Sequence, residues 1–217
     1  MIVYGSNLSP SVRKTLAFAA EKGIEVELVP AGMGQGPPEF KQASPFGKMP
    51  GFRDGDFLIS DSTAIITYLD AIKPEPNLIP LEPKARARAI WYEEFGDTIV
   101  GACGGKVFFN RIVAPRFMGR EGDLAAADEA QQVEFPKVLD YLETVIPASG
   151  FLVEDRITLA DIAVASPFQN LDLAGCPIDA AKYPKSAKYV EAILARPSYA
   201  KWVEQERAMF KKAAEPA

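Results

Sequence analysis

Apolar and polar positions change rhythm part-way along the chain. Up to about residue 72 the apolar runs are short and of mixed period. "IVY" at Ile2–Tyr4 is a brief strand pattern, and the run from Pro10 to about Lys22 has helical spacing. "IEVELV" at Ile24–Val29 alternates with β-branched residues and predicts a strand. The turn-rich stretch "PAGMGQGPPEF" at Pro30–Phe40 predicts a loop. Met49–Ile59 reads as two short strands around Asp54-Gly55, a hairpin signal. Ser60–Ile72 then opens a helix with Asp61 or Ser62 as its N-cap. The predicted order is β-α-β-loop-β-β-α.

Residues 73–84, "KPEPNLIPLEPK", carry four prolines and cannot form a helix interior. Beyond them the period is helical throughout. Residues 85–114 give a long helical pattern, weakened around Gly101–Gly105. Residues 123–146 give another, with Pro136 early in it or at a kink. Thr158-x-x-Asp161 is a capping-box variant that starts a third, and 183–212 hold two more, broken before Pro197. The pattern predicts two domains: an α/β unit over 1–75 and an all-α helical bundle over 85–217, joined by a linker at 76–84.

Composition narrows the function classes. The chain has 217 residues, 48% hydrophobic and 24% charged, which suits an ordinary globular protein with a sizeable core. Its net charge of −5 argues against a nucleic-acid or anionic-membrane partner. Cys103 and Cys176 form no C-x-x-C pair and fit a reducing compartment. No secretory signal or long apolar span is visible, so a cytoplasmic protein is expected. There is no histidine. That matters for "SNLSPSVRK" at Ser6–Lys14, where three serines crowd a helix start: an attacking serine normally needs histidine as its base.

Four pieces in this order resemble the glutathione S-transferases across essentially the whole chain. They are "YGSNLSPSVRK" at Tyr4–Lys14, "SPFGKMPGF" at Ser44–Phe52, "DGDFLISDSTAIITYL" at Asp54–Leu69 and "TLADIAVA" at Thr158–Ala165. The resemblance implies a thioredoxin-like amino-terminal domain that binds glutathione and a helical domain that lines a second-substrate pocket. It implies a cis peptide at Met49-Pro50, with the backbone of Met49 pairing the cysteinyl part of glutathione by strand addition. Asp61 and Ser62, at a helix amino terminus, would hold the γ-glutamyl end, and Lys48 its glycyl carboxylate.

The serine-type members carry their working hydroxyl four residues before an arginine. Counting back from Arg13 gives Ser9, with Ser11 second and Tyr4 a distant third. The plain alternative for Ser9 is an N-cap followed by proline at N1. The nucleophile would be the thiol of glutathione itself, which removes the need for a histidine. Cysteine at this position would favour thiol transfer, so Ser9 disfavours that activity. For the second pocket the candidates are Phe95, Ile99, Cys103 and Phe108, and Asp97 is a candidate for reaching a neighbouring subunit's glutathione ammonium. The expected protein is a homodimeric transferase that uses glutathione as co-substrate, with no metal, acting on small apolar electrophiles. A non-catalytic relative acting in complexes, or a glutathione-dependent isomerase or dehalogenase, remains open at this point.

Overall fold

Four strands form one mixed sheet in the computed structural model, which describes residues 1–212. They are β1 (Ile2–Gly5), β2 (Glu27–Pro30), β3 (Gly51–Asp54) and β4 (Phe57–Ser60), in the order β2-β1-β3-β4. β1 runs parallel to β2, with Val3 beside Leu28, and antiparallel to β3, with Val3 beside Phe52. β3 and β4 form the expected hairpin, with Gly55 supplying the positive φ (+60°) that its turn needs. Helices α1 (Pro10–Glu21), α2 (Pro38–Ala43) and α3 (Ser62–Ile72) complete this part.

Two details differ from the sequence pattern. The second strand starts at Glu27 rather than Ile24, because Ile24 N–H donates to Ala19 O (2.8 Å) and so closes the end of α1. Only from Glu27 onward is the chain in register with β1. The second is α2, which lies where the pattern ran from loop into the next strand. It starts on Pro38, whose fixed φ suits a first helical turn, and is pinned by Phe40, buried 6.4 Å from the ring of Tyr4.

The helical part begins with one continuous run over 83–117, here α4, interrupted by π-turns at Phe95–Val100 and Phe109–Val113. The glycines around Gly101–Gly105 do not break it. α5 covers 124–145, with Pro136 just after a π-turn at Ala130–Glu134; the wider ladder accommodates a residue that has no N–H to donate. α6 (Leu159–Leu173), α7 (Pro184–Leu194) and α8 (Pro197–Lys212) follow.

α6 is the central post. Asp161 is fully buried at its first turn, where Oδ2 accepts from Thr158 N–H (3.0 Å) and Oδ1 from Leu152 N–H (2.8 Å). Burial pushes the Asp161 carboxyl up to about 6. α4 crosses α6 so closely at Gly96 that a Cβ there would stand 2.8 Å from the Ala163 backbone. α1 lies between the sheet side and the helical side, packed on α3, α6 and α8, so its residues from Val12 through Ala19 are all buried. One apolar core runs from Val3 and Phe52 through Ala89 and Ile162 to Tyr199, joining the two parts.

Candidate active site

The segment between β1 and α1 turns back on itself. Ser9 N–H donates to Ser6 O (2.9 Å) and Leu8 N–H to Ser6 Oγ (3.3 Å). Ser9 then sits at the N-cap of α1 in extended backbone (φ −79°, ψ 124°), with Pro10 at the first helical position. Its hydroxyl makes no capping hydrogen bond, unlike an ordinary serine N-cap. Instead Ser9 lines a cavity of about 390 Å³ between the two parts of the molecule. Met49 faces it from the same part, and Gly105, Phe108, Phe109 and Phe117 from α4. No charged side chain is among its lining residues. Ser11 is not among them either; its carbonyl accepts from Thr15 Oγ1 (2.9 Å) inside α1. Tyr4 is buried against Phe40 in the sheet, a packing role.

The Ser9 turn is held from the helical side. Arg13, fully buried, donates through Nη1 to Asn7 O (3.0 Å) and Glu206 Oε1 (2.8 Å). Its Nη2 donates to Ser166 O and to Asn170 Oδ1, both at 2.5 Å. The other end of the Asn170 amide donates to Leu8 O (2.8 Å), and Ser166 Oγ donates to Pro10 O (2.7 Å). Three carbonyls of the turn, at residues 7, 8 and 10, are thus fixed by α6 directly or through Arg13. Glu206, which anchors Arg13 from α8, is itself buried, and that burial raises its carboxyl above the usual range against the pull of Arg13.

Across the cavity, Met49-Pro50 is a cis peptide and leads into β3. Ser44 Oγ donates to Lys48 O (2.7 Å) and so fixes the approach to it, while the Lys48 side chain is exposed. Asp61 N–H donates to Pro50 O (3.3 Å), which sets the start of α3 beside Met49. Asp61, at φ +82°, caps α3 by accepting from Thr63 and Ala64 N–H (2.9 and 3.1 Å). Both bonds go to Oδ1, so neither uses Oδ2, and Ser62, the first helical residue, is buried. Ser9 and Met49 thus share the cavity, while Asp61 and Ser62, at the start of α3, are tied to it through the Pro50 backbone.

Beneath α3 lies a cluster that the sequence pattern did not show. Lys14 Nζ, buried, donates to Glu93 Oε1 (2.7 Å) and Asp97 Oδ2 (2.5 Å), and Thr63 Oγ1 donates to the same Glu93 oxygen (2.5 Å). Burial raises the Asp97 carboxyl; Lys14 counters it, while Glu93 and Asp61 add to it. Asp97, expected to reach a neighbouring subunit, is here paired within its own chain.

The second-pocket candidates separate. Phe108 lines the Ser9 cavity, but Phe95, Ile99 and Cys103 do not; they line a separate groove of about 400 Å³ with Trp91 and Tyr141, between α4 and α5. The reason is helical geometry. Residues 91, 95, 99 and 103 form one i, i+4 stripe, whereas Gly101, Gly104, Gly105 and Phe108 form another, rotated about half a turn away. The stripe that reaches Ser9 is the one marked by glycines and Phe108. Cys103 and Cys176 are buried, and burial pushes their thiols up to about 12 and about 11, which leaves them poor nucleophiles.

Comparison with known proteins matches the two parts separately. The family model "Glutathione S-transferase, N-terminal domain" covers residues 3–77, and "Glutathione S-transferase, C-terminal domain" covers 109–206. A glutathione S-transferase of Hyoscyamus muticus is 31% identical over 95% of this chain and 99% of that protein. The chain belongs to the glutathione S-transferase family. Among solved structures, the apo form of glutathione S-transferase III superposes with a TM-score of 0.77 at 30% identity, covering 94% of this chain and 95% of that one. Glutathione transferase F7 from Populus trichocarpa gives 0.80 at 26%, covering 94% and 98%. The glutathione S-transferase N-terminal match holds Ser9, Met49-Pro50 and Asp61-Ser62; the C-terminal match begins at Phe109, so the part of α4 bearing Gly101–Phe108 lies between them.

Proposed function

We propose that this glutathione transferase uses Ser9 to hold the sulfur of bound glutathione as thiolate and presents it to small, uncharged, apolar electrophiles in the cavity beside α4. The observation that carries the reading is Ser9 itself, which lines that cavity at the start of α1 while its hydroxyl makes no capping bond to the helix. An unperturbed thiol has a pKa of about 8.5, so only a few per cent is thiolate at neutral pH. A hydroxyl that donates to sulfur stabilises the thiolate over the thiol, and the positive end of the α1 dipole adds to it. Lowering the pKa by two units takes about 2.7 kcal/mol, within reach of one charge-assisted hydrogen bond plus the dipole. The thiol proton leaves to water; no histidine is needed.

Glutathione would lie along the wall from Ser9 to α3. The Met49 backbone would pair its cysteinyl unit by strand addition. The N–H groups at Ser62 and the start of α3 would take the γ-glutamyl carboxylate, with Asp61 Oδ2 on its ammonium. Lys48, exposed beside Met49, suits the glycyl carboxylate. The assembly we expect is a homodimer in the cytoplasm. Phe46, 91% exposed two residues before Lys48, and the aromatic groove at Trp91 and Phe95 are two apolar surfaces that a second copy could cover. Among the described residues no helix is long and apolar enough to cross a membrane.

Ultraviolet titration of the bound thiolate tests the role of Ser9. Ser9→Ala should raise the thiol pKa toward its free value and cut kcat at pH 7 by roughly 25-fold for a two-unit shift, with KM for glutathione little changed. Ser11→Ala should leave both readouts alone. Equal effects from the two substitutions would reassign the hydroxyl.

A further inference from the structure

The structure assigns Gly105 as the residue that sets the breadth of the electrophile cavity. Glycine is among the weakest helix formers, so a glycine in a helix interior invites a reason. Gly96 and Gly101 in α4 each have one, and Gly104 is buried against a neighbouring helix. A Cβ at Gly96 would stand 2.8 Å from the Ala163 backbone, at Gly101 3.1 Å from Gly96 O, and at Gly104 3.4 Å from the Leu171 side chain.

Gly105 has none of these neighbours. A Cβ built there meets nothing within 4 Å, and the residue lies inside the regular helical segment Gly101–Phe108 with no positive φ to justify it. It is exposed, yet the space it faces is the cavity that holds Ser9. The missing side chain is therefore open cavity volume rather than close packing of helices. On the rim around it stand Phe109, Phe117 and Met33, all partly exposed apolar side chains. A bare stretch of helix opposite such side chains admits a flat aromatic body lying over the α4 backbone, its reactive carbon toward Ser9. Any larger residue at 105 projects into that volume.

The inference rests on the reading of the Ser9 cavity as the electrophile site, and its test separates the two. Gly105→Leu and Gly105→Ala should both fold, since leucine and alanine are better helix formers, and Gly105→Ala should melt about 2–4 °C higher. With chlorodinitrobenzene as the broad, flat electrophile, Gly105→Leu should lower kcat/KM at least tenfold. With iodomethane as the small one it should stay within twofold of the parent. The ultraviolet titration of bound glutathione should not move. An equal fall for both electrophiles, or no fall for either, overturns the assignment. If the parent protein shows no thiolate titration and no turnover, the underlying reading fails. The cavity claim is then read from an anilinonaphthalene sulfonate dye, whose affinity should drop at least fivefold in Gly105→Leu; an unchanged affinity overturns it.

Discussion

Arg13 and Lys14 are neighbours in α1, both are fully buried, and they hold different parts of the molecule in different ways. Arg13 meets one carboxylate, Glu206, and three neutral oxygens, so its surroundings are balanced in charge. Four bonds from one planar fork fix directions, and those directions reach the turn that carries Ser9. Lys14 meets two carboxylates, Glu93 and Asp97, with Asp61 close enough to raise Asp97 further. That site keeps an excess of negative charge beside the start of α3, where we place the ammonium of glutathione. Two adjacent buried cations thus divide the work: one sets geometry at the sulfur end, the other sets the field at the γ-glutamyl end.

The contrast breaks most visibly at Arg13. Arg13→Lys keeps the charge but loses the fork, since one ammonium cannot reach Asn7 O, Ser166 O, Asn170 and Glu206 together. A network with several partners left unpaired costs about 3 kcal/mol or more of stability in chemical denaturation. It should also raise the pKa of bound glutathione and lower kcat, because the Ser9 turn is then free to shift. Lys14→Met comes next. It leaves Glu93 and Asp97 without their shared cation and should cost about 3 kcal/mol at pH 7. The titration of the bound thiol should stay where it is. If Lys14→Met moves that titration as far as Arg13→Lys does, the division between the two sites is wrong.

The same pair shows what the chain discloses before it is folded. The β-α-β-ββ-α order is legible because strand alternation, the Asp54-Gly55 turn and the Asp61 cap are local signals. α2 is less legible, since a six-residue helix that starts on the second of two prolines looks like a turn and is held by a tertiary contact of Phe40. Ser9, Met49-Pro50 and Asp61-Ser62 stand out through family spacing; Ser9 and Met49 line one cavity, and Asp61 bonds to the Pro50 backbone. Arg13 serves in that spacing only as the landmark from which Ser9 is counted, and neither it nor Lys14 signals its own burial. Two consecutive cations in a helix read as solvated, and only the partners supplied by residues 93, 97, 166, 170 and 206 bring them inside. The lining of the second pocket is only partly legible for a related reason. α4 carries two apolar stripes, and the sequence does not say which one meets the Ser9 turn: Phe108 lies on that one, and Phe95, Ile99 and Cys103 on the other.

Asp97→Asn sharpens the comparison with the smallest effect. Burial raises the Asp97 carboxyl above its ordinary 3.8, even with Lys14 against it. For an acid raised in the folded state, the native protein holds its proton to higher pH than the unfolded chain does. The stabilising contribution is present below about the ordinary value and is lost as pH rises through the folded one. Asparagine keeps the hydrogen-bonding shape without the charge and cannot show that loss. In paired urea denaturations, Asp97→Asn should gain on the parent as pH climbs above 3.8, then run parallel to it once both forms of the parent are ionised. A matching experiment with Glu206→Gln at the Arg13 site should show the same sign, since burial raises that carboxyl too, but on top of a larger fixed loss. There the carboxylate is the single charge opposing a buried guanidinium, so removing it strands Arg13, whereas Lys14 without Asp97 still has Glu93. If Asp97→Asn proves as costly at pH 7 as Glu206→Gln, the excess negative charge at the Lys14 site is not there, and the two cations are held alike.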